Sequence, residues 1–213
     1  MTVSDSAPRL LRTATLLSLL ILPLSACSDD DPTGPNQEEG TLHAVIQDQE
    51  NGPGSTSPAS VVGLSGADGQ VEGEFRADLR VQVEVDGSWM DVGQMTDVTA
   101  MAELQTGEDR NVASAQIAAR SYDRARVVIN NAETHVLAGS VIGTGLIDAL
   151  VTISLGGGGE MVVESTQPVT IQTDGSTELV LELNSRSWLT EDAADIGAVT
   201  RGEFESSASL TVR

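Results

Sequence analysis

The chain has 213 residues, and 32 Asp and Glu side chains outnumber 11 arginines, which gives a formal net charge of −21 without any lysine. A charge of this sign repels phosphate, so the composition argues against nucleic acid and anionic lipid headgroups as partners. Aromatic residues make up only 2% of the chain, so a core of Val, Leu, Ile and Ala is expected and a sugar-binding face of aromatic rings is disfavoured.

The first predicted element is a secretion signal over residues 1–26. Arg9 and Arg12 precede an apolar run over residues 14–24, and small residues follow this run. A cleaved signal peptide has a basic amino-terminal region, a short apolar stretch and small residues before the cleavage site. The run has about half of the roughly 20 apolar residues that a membrane-spanning helix needs, so a transmembrane helix is not predicted.

Leu24, Ser25 and Ala26 lead directly to Cys27, the only cysteine of the chain. This motif resembles the lipobox of bacterial lipoproteins. The resemblance implies that the Cys27 sulfur receives a diacylglyceryl group, that the chain is cut before Cys27, and that the new amino terminus receives a fatty acid such as palmitate. Membrane lipid is then a partner through Cys27, because several acyl chains give stable anchoring. A chance cysteine behind an ordinary signal peptide is the alternative.

Residues 27–40 are predicted to form a tether between the lipid and the folded body. After Cys27 they are acidic and rich in Pro and Gly, and they lack an apolar side chain that could dock on a domain. This composition is typical of flexible linkers. Ser28 stands at the position that decides membrane sorting in many lipoproteins. The resemblance therefore implies an extracytoplasmic location in the cell envelope, at the outer membrane.

Residues 41–213 are predicted to form one all-β domain, an antiparallel β-sandwich. A short strand is expected over residues 42–46. Residues 71–85 alternate between apolar and polar side chains, which predicts a strand with one buried and one solvated face. Asp86 and Gly87 then predict a tight turn into a strand over residues 89–92. The side chains expected on the buried face are Phe75, Ala77, Leu79, Val81, Val83 and Val85.

The later elements are predicted from short apolar runs between turn residues. Strands are expected over residues 98–104 and 122–129. Residues 112–117 fit either a strand or a short helix, because alanine is frequent there and favours helices. One helical turn over residues 189–195 and a strand over residues 203–212 complete the chain. Eight or more short strands at regular intervals favour a β-sandwich.

Two segments rich in glycine or Asp-Gly are predicted to be hairpin loops. Four glycines over residues 156–159 separate two apolar runs, and no Lys or Ser/Thr pair follows them as a phosphate-binding loop would require. Asp174 and Gly175 separate two further apolar runs in the same way. Each pair of runs is therefore expected to form two neighbouring antiparallel strands.

Three segments of the body, residues 81–92, 102–129 and 177–187, resemble a bacterial lipoprotein family of unknown function. The three segments contain 51 of the 173 residues of the body. The resemblance lies in an Asp-Gly-Ser-Trp hairpin, a Tyr-x-x-x-Arg-hydrophobic strand start and a late strand of alternating leucines. It implies an immunoglobulin- or prealbumin-like β-sandwich. The chain departs from the family at residues 47–49, where an Asp-Ala-Pro opening is usual. The family brings no catalytic residues.

The candidate site residues are few. Tyr122 follows a turn and fits a tyrosine corner, in which the hydroxyl bonds back to the preceding backbone; a ligand contact is the alternative. His43 and His135 are the only histidines, and neither has a second His or Cys at metal-ligand spacing. A Gly-x-Ser-x-Gly nucleophile motif and an Asp-rich calcium loop are both missing from the sequence. No catalytic residue, metal or cofactor is therefore predicted.

The resulting functional hypothesis is a membrane-anchored, non-enzymatic β-sandwich that serves as an interaction or envelope-structural module. Its protein partner in the envelope or outside the cell is unknown. A divalent-cation-dependent domain for an extracellular ligand is the first alternative, because the many carboxylates could bind cations. An envelope hydrolase is the second, because carboxylate pairs are numerous enough for glycoside hydrolysis.

Overall fold

The computed structural model describes residues 38–50 and 71–213, which form an all-β fold with short helical segments. The strands are β1 (Glu39–Asp48), β2 (Gly73–Val85), β3 (Ser88–Asp91), β4 (Val98–Glu103), β5 (Arg110–Ala118), β6 (Ser121–Tyr122), β7 (Ala125–Val136), β8 (Val141–Ile142), β9 (Gly145–Leu146), β10 (Val151–Leu155), β11 (Met161–Glu164), β12 (Val169–Thr170), β13 (Ser176–Leu183), β14 (Ala198–Val199) and β15 (Ala208–Val212). The helices are α1 (Glu191–Ile196) and α2 (Arg201–Ser206), and 3-10 turns lie at Gly93–Met95, Gly156–Gly158 and Ser185–Ser187.

Two sheets form the body of this fold. The small sheet has the strand order β15-β13-β1-β5, and the large sheet has the order β14-β10-β7-β2-β3, with β4 also paired to β2 and β11 also paired to β7. Leu42 and Ile46 of the small sheet belong to the same buried cluster as Phe75 and Val81 of the large sheet. The two sheets therefore share one hydrophobic core, as in a β-sandwich.

The alternation predicted for β2 is confirmed from Phe75 to Val83, whereas Val85 at the end of the strand is only partly buried. Phe75, Ala77, Leu79, Val81 and Val83 are all 3% exposed or less. The hairpin after this strand is confirmed as well, because β2 pairs with β3 in antiparallel fashion across the predicted two-residue turn. Both turn residues have positive φ, which matches the right-handed twist of the two strands.

The predicted antiparallel pairing is confirmed for most strand pairs and is wrong for two of them. β1 and β13 pair in parallel along eight residue pairs, from Thr41 with Ser176 to Asp48 with Leu183. β10 and β14 also pair in parallel. Side-chain alternation identifies the two faces of a strand but carries no information about the direction of its neighbour, and these strands are far apart in the chain.

The predicted hairpin at the glycine run is also wrong. β10 pairs with residues 133–136 of β7, and β11 pairs with residues 126–129 of the same strand. The two strands thus follow one edge of β7 in succession, and Gly156–Gly158 is the interruption between them. All three glycines have positive φ, a conformation that side chains disfavour. On the opposite strand, Asn131 has a φ of 50° beside a register shift between β2 and β7.

The second predicted hairpin, around Asp174 and Gly175, is wrong for a similar reason. β12 pairs with β6, whereas β13 pairs with β1 and β15. The turn itself is present, because the Gly175 amide donates to the Gln172 carbonyl at 2.9 Å. It carries the chain from one sheet to another, a distinction that turn residues alone do not encode.

Several predicted elements have other bounds in the structure, and the open assignment of residues 112–117 is decided. The strand predicted over residues 122–129 is divided into β6 and β7, and β7 continues to Val136. β1 begins at Glu39, so the last two residues of the predicted tether pair with β5 instead. Residues 112–117 lie within β5, which confirms the strand and rules out the helix. Residues 203–206 are helical, because Thr200 and Glu203 form a reciprocal capping box that starts α2, and the final strand is only Ala208–Val212.

Adjacent residues of β4 give a direct test of which face is buried. Ala102 is 1% exposed in the core, and Met101 is 47% exposed on the outer face. Ala102→Asp should lower the free energy of unfolding by several kcal/mol, because it buries an unpaired carboxylate. Met101→Asp should change it by no more than about 0.5 kcal/mol. Urea unfolding of both variants measures the difference, and equal midpoints would refute the assigned faces.

Candidate functional site

The predicted lipidation residues lie outside the part of the chain that the structure describes. These are Leu24, Ser25, Ala26 and Cys27, together with the sorting position Ser28. Among the described residues, no helix has the length and apolar character needed to cross a membrane. The anchor therefore stays a prediction from the sequence.

Tyr122 is buried at the start of a two-stranded ribbon formed by β6 and β12. Its hydroxyl donates to the carbonyl of Ala118 at 2.9 Å. The Arg120 guanidinium lies 5.5 Å from the centre of the ring. Burial raises the pKa of Tyr122 above its usual value. A bond back to the preceding turn is the contact that a tyrosine corner makes, and it engages the hydroxyl that a ligand would need.

The two histidines lie on different sheets. His43 Nδ1 is 2.6 Å from the Ser114 hydroxyl on the outer face of the small sheet. On the large sheet, His135 Nε2 is 2.9 Å from Glu133. Within residues 38–50 and 71–213, no group of His, Cys, Asp and Glu is arranged to hold a metal ion.

Asp48 at the end of β1 is the buried carboxylate of the structure, with 0% exposure. Its Oδ1 accepts a hydrogen bond from the backbone N–H of Ser185 at 2.9 Å. Its Oδ2 accepts from the backbone N–H of Gln105 at 2.6 Å and from the Ser185 hydroxyl at 2.5 Å. Burial raises the pKa of Asp48, and these hydrogen bonds oppose the rise. All the carboxylate oxygens are engaged with the protein itself, so this group fixes the structure instead of binding a ligand.

A partly exposed tryptophan forms the most distinctive surface of the large sheet. Trp89 lies in the edge strand β3, and two guanidinium groups lie over its ring. Arg126 is 4.2 Å and Arg124 is 5.4 Å from the ring centre, within the range of cation–π attraction. We call these three residues, with Gln82 and Glu84, the Trp89 surface.

Hydrogen bonds hold the two arginines of the Trp89 surface in place. Arg126 Nε donates to Gln82 Oε1 at 2.6 Å, and Gln82 is itself only 9% exposed. Arg124 Nε donates to Glu84 at 2.7 Å and its Nη1 to Glu164 at 2.8 Å. The Arg124 guanidinium holds the pKa of Glu84 below its usual range. The aromatic ring and the charged groups are thus ordered before any partner arrives.

Sequence reasoning missed this surface, although the signal was present. Arg124 and Arg126 are two residues apart, and this spacing puts both on one face of an extended strand. Trp89 follows the predicted hairpin turn at an edge, but nothing in the sequence identifies β7 as the strand on the other side of β2.

Comparison with protein-family models, curated proteins and solved structures finds no match to this chain.

The Asp48 carboxylate should make stability depend on pH in a defined direction. Asp48→Asn should lower the free energy of unfolding by about 1–3 kcal/mol, because an amide nitrogen would face a backbone donor. The raised pKa means that the folded chain binds this proton more tightly than the unfolded chain does. The stability advantage of the wild type over Asp48→Asn is therefore complete below pH 3.8, the ordinary pKa of an Asp side chain. It declines as the pH rises through the pKa that Asp48 has in the folded chain.

Urea unfolding at about pH 4 and about pH 7 measures this difference. Asp195→Asn on exposed α1 serves as the matched control, and it should follow the wild type at both pH values. An advantage of the wild type over Asp48→Asn that grows towards neutral pH would contradict the direction of the pKa change.

Proposed function

We propose that this chain is a membrane-anchored extracytoplasmic lipoprotein whose β-sandwich is a non-enzymatic interaction module. The single observation that carries the interaction role is the Trp89 surface. Trp and Arg contribute most to binding at protein interfaces, and here they are preordered on the outer face of a sheet. The partner is a protein of the envelope or of the outside of the cell.

The proposed cellular location is based on the amino-terminal sequence. Leu24, Ser25 and Ala26 before Cys27 support lipid attachment, and Ser28 supports the outer membrane. The resemblance to a bacterial lipoprotein family supports the same cellular location. It also supports an immunoglobulin- or prealbumin-like class for the sandwich. The described residues form two main sheets with one shared core, and this architecture is compatible with such a module. In this proposal the lipid holds the Trp89 surface within reach of its partner.

The anchor is tested by Cys27→Ser. Wild-type protein expressed in a bacterium with a lipoprotein pathway should incorporate labelled palmitate and sediment with membranes. The variant should incorporate none and be released, because several acyl chains are needed for stable attachment. Persistence of the variant on membranes through high-salt washing would refute the lipid anchor.

The interaction role is tested by Trp89→Ala, with Met101→Ala as the control. Met101 is also exposed on the outer face of the large sheet but lies outside the Trp89 surface. Purified wild-type protein should capture a specific protein from its own envelope fraction. Trp89→Ala should weaken that capture about tenfold or more, because it removes the ring on which two arginines are ordered. Equal capture by the two variants would contradict the proposed surface.

A further inference from the structure

The edge strand β3 has one side without a hydrogen-bonded neighbour. Among the described strands it pairs with β2 alone, at the end of the path β14-β10-β7-β2-β3. The Val92 N–H donates to the Val81 carbonyl at 2.9 Å. Because hydrogen-bonded pairs alternate along an antiparallel ladder, Met90 also bonds to β2, and the peptide groups of Trp89 and Asp91 point away from it. The free side of β3 therefore offers two N–H groups and two carbonyls to an added strand.

Apolar side chains are exposed on both faces of β3. Trp89 is partly exposed on the outer face, and Met90 points to the other face, opposite the buried Val83. Met90 is nevertheless 51% exposed, so the core does not cover β3 on this face. Projecting charges or proline usually protect such edges. Asp91 is the only charged residue of β3, and its carboxylate is directed back over the sheet, where it accepts from Gln82 at 2.6 Å. The edge therefore lacks this protection.

The Trp89 surface also has side-chain donors without acceptors. Arg126 makes one hydrogen bond, from Nε to Gln82, and no ion pair with the described residues. Its Nη1 and Nη2 and the Nε1 of Trp89 make no hydrogen bond there either, and these nitrogens are open to solvent, unlike Trp188 Nε1. The guanidinium lies 4.2 Å from the ring centre, so the donors are close together. Guanidinium and indole groups only donate, and a carboxylate is the acceptor that forms charge-assisted bonds with them.

The charge of the chain limits how acidic a complementary partner can be. The formal net charge of −21 repels a strongly acidic segment over long range. A single carboxylate in an otherwise uncharged segment meets little of this repulsion, because salt screens exposed charges beyond about 10 Å at 0.1 M. A lysine or arginine would face the Arg126 cation and bring no acceptor to it. The complementary segment is therefore extended and apolar, with one carboxylate.

We propose that the partner of the Trp89 surface contributes an extended segment that pairs with β3 as a further strand of the large sheet. This inference rests on the proposed interaction role and names the chemistry of the partner. Peptide groups of the segment bond to Trp89 and Asp91, an apolar side chain covers Met90, and a carboxylate accepts from Arg126 and the Trp89 indole. Main-chain bonds of an added strand give affinity and its side chains give specificity. Because β3 has only four residues, the side-chain contacts are essential.

A proline at position 91 tests the added strand. Asp91→Pro removes an N–H that points away from β2, so the ladder between β2 and β3 keeps its hydrogen bonds, and proline is tolerated on the open side of an edge strand. Asp91→Ala is the matched control, because it removes the same carboxylate and keeps the N–H. In capture from the envelope fraction, Asp91→Pro should bind the Trp89-dependent protein about tenfold more weakly than Asp91→Ala does.

Defined peptides test the carboxylate. Acetylated and amidated peptides of about seven residues alternate Val and Thr, and the central Thr is replaced by Glu, Gln or Lys. They are titrated into the mature chain, and the two indole N–H signals are followed in ¹⁵N–¹H spectra, assigned with Trp89→Phe. The Glu peptide should shift the Trp89 signal saturably, bind about tenfold more tightly than the Gln peptide, and leave the Trp188 signal in place. The Lys peptide should bind most weakly. In Arg126→Gln the preference for Glu should be lost.

The outcomes separate this inference from the interaction role on which it rests. Trp89-dependent capture that is equal for Asp91→Pro and Asp91→Ala would overturn the added strand and leave the interaction role in place. Capture that does not depend on Trp89 would contradict the interaction role itself. An unchanged Trp89 signal with all three peptides, or equal binding of the Glu and Gln peptides, would also overturn the inference. If a displaced Trp188 signal shows that Asp91→Pro is unfolded, the titration of Arg126→Gln decides the question.

Discussion

The carboxylate of Asp48 is the constraint that ties the two sheets together at one end of the sandwich. It accepts from Gln105, just after a strand of the large sheet, and from Ser185, just after a strand of the small sheet. A carboxylate removed from water is tolerated only where hydrogen bonds replace the lost hydration. The end of β1, the loop after β4 and the turn after β13 must therefore meet at this point, next to the last residue pair of the parallel β1–β13 ladder.

Among the described residues, arginines and carboxylates pair on the outer faces of the sheets. Several arginines are held by carboxylates there, as Arg124 is by Glu84 and Glu164. Arg126 differs, because its Nε is bound by the neutral amide of Gln82 while its guanidinium lies on Trp89. Aromatic contact thus orders a cation without neutralising it. A partly exposed charged group of this kind contributes little to stability as a surface ion pair. The proposed interaction role rests on its order and its charge.

The interruption between β10 and β11 shapes the surface beside Trp188. If the glycine run had been a hairpin, the two strands would have covered each other's edges. Instead both strands lie along β7, and the chain between them turns outward through Gly156–Gly158. The short helices follow later in the chain, where α2 packs beside this turn and α1 packs against β10. Gly156 and Gly157 of the turn line one cleft together with Trp188 and Val199.

The sequence by itself determined the local features of this protein. Period-two alternation gave the buried face of β2, and the Asp-Gly pair after it gave the hairpin, because both depend on neighbouring residues. The amino-terminal motif at Cys27 is likewise local. Only the tertiary structure decided which strands pair and in which direction, since a ladder between β1 and β13 joins residues at opposite ends of the domain. It also brought Trp89 under Arg124 and Arg126, because contacts across strands depend on register and not on spacing along the chain.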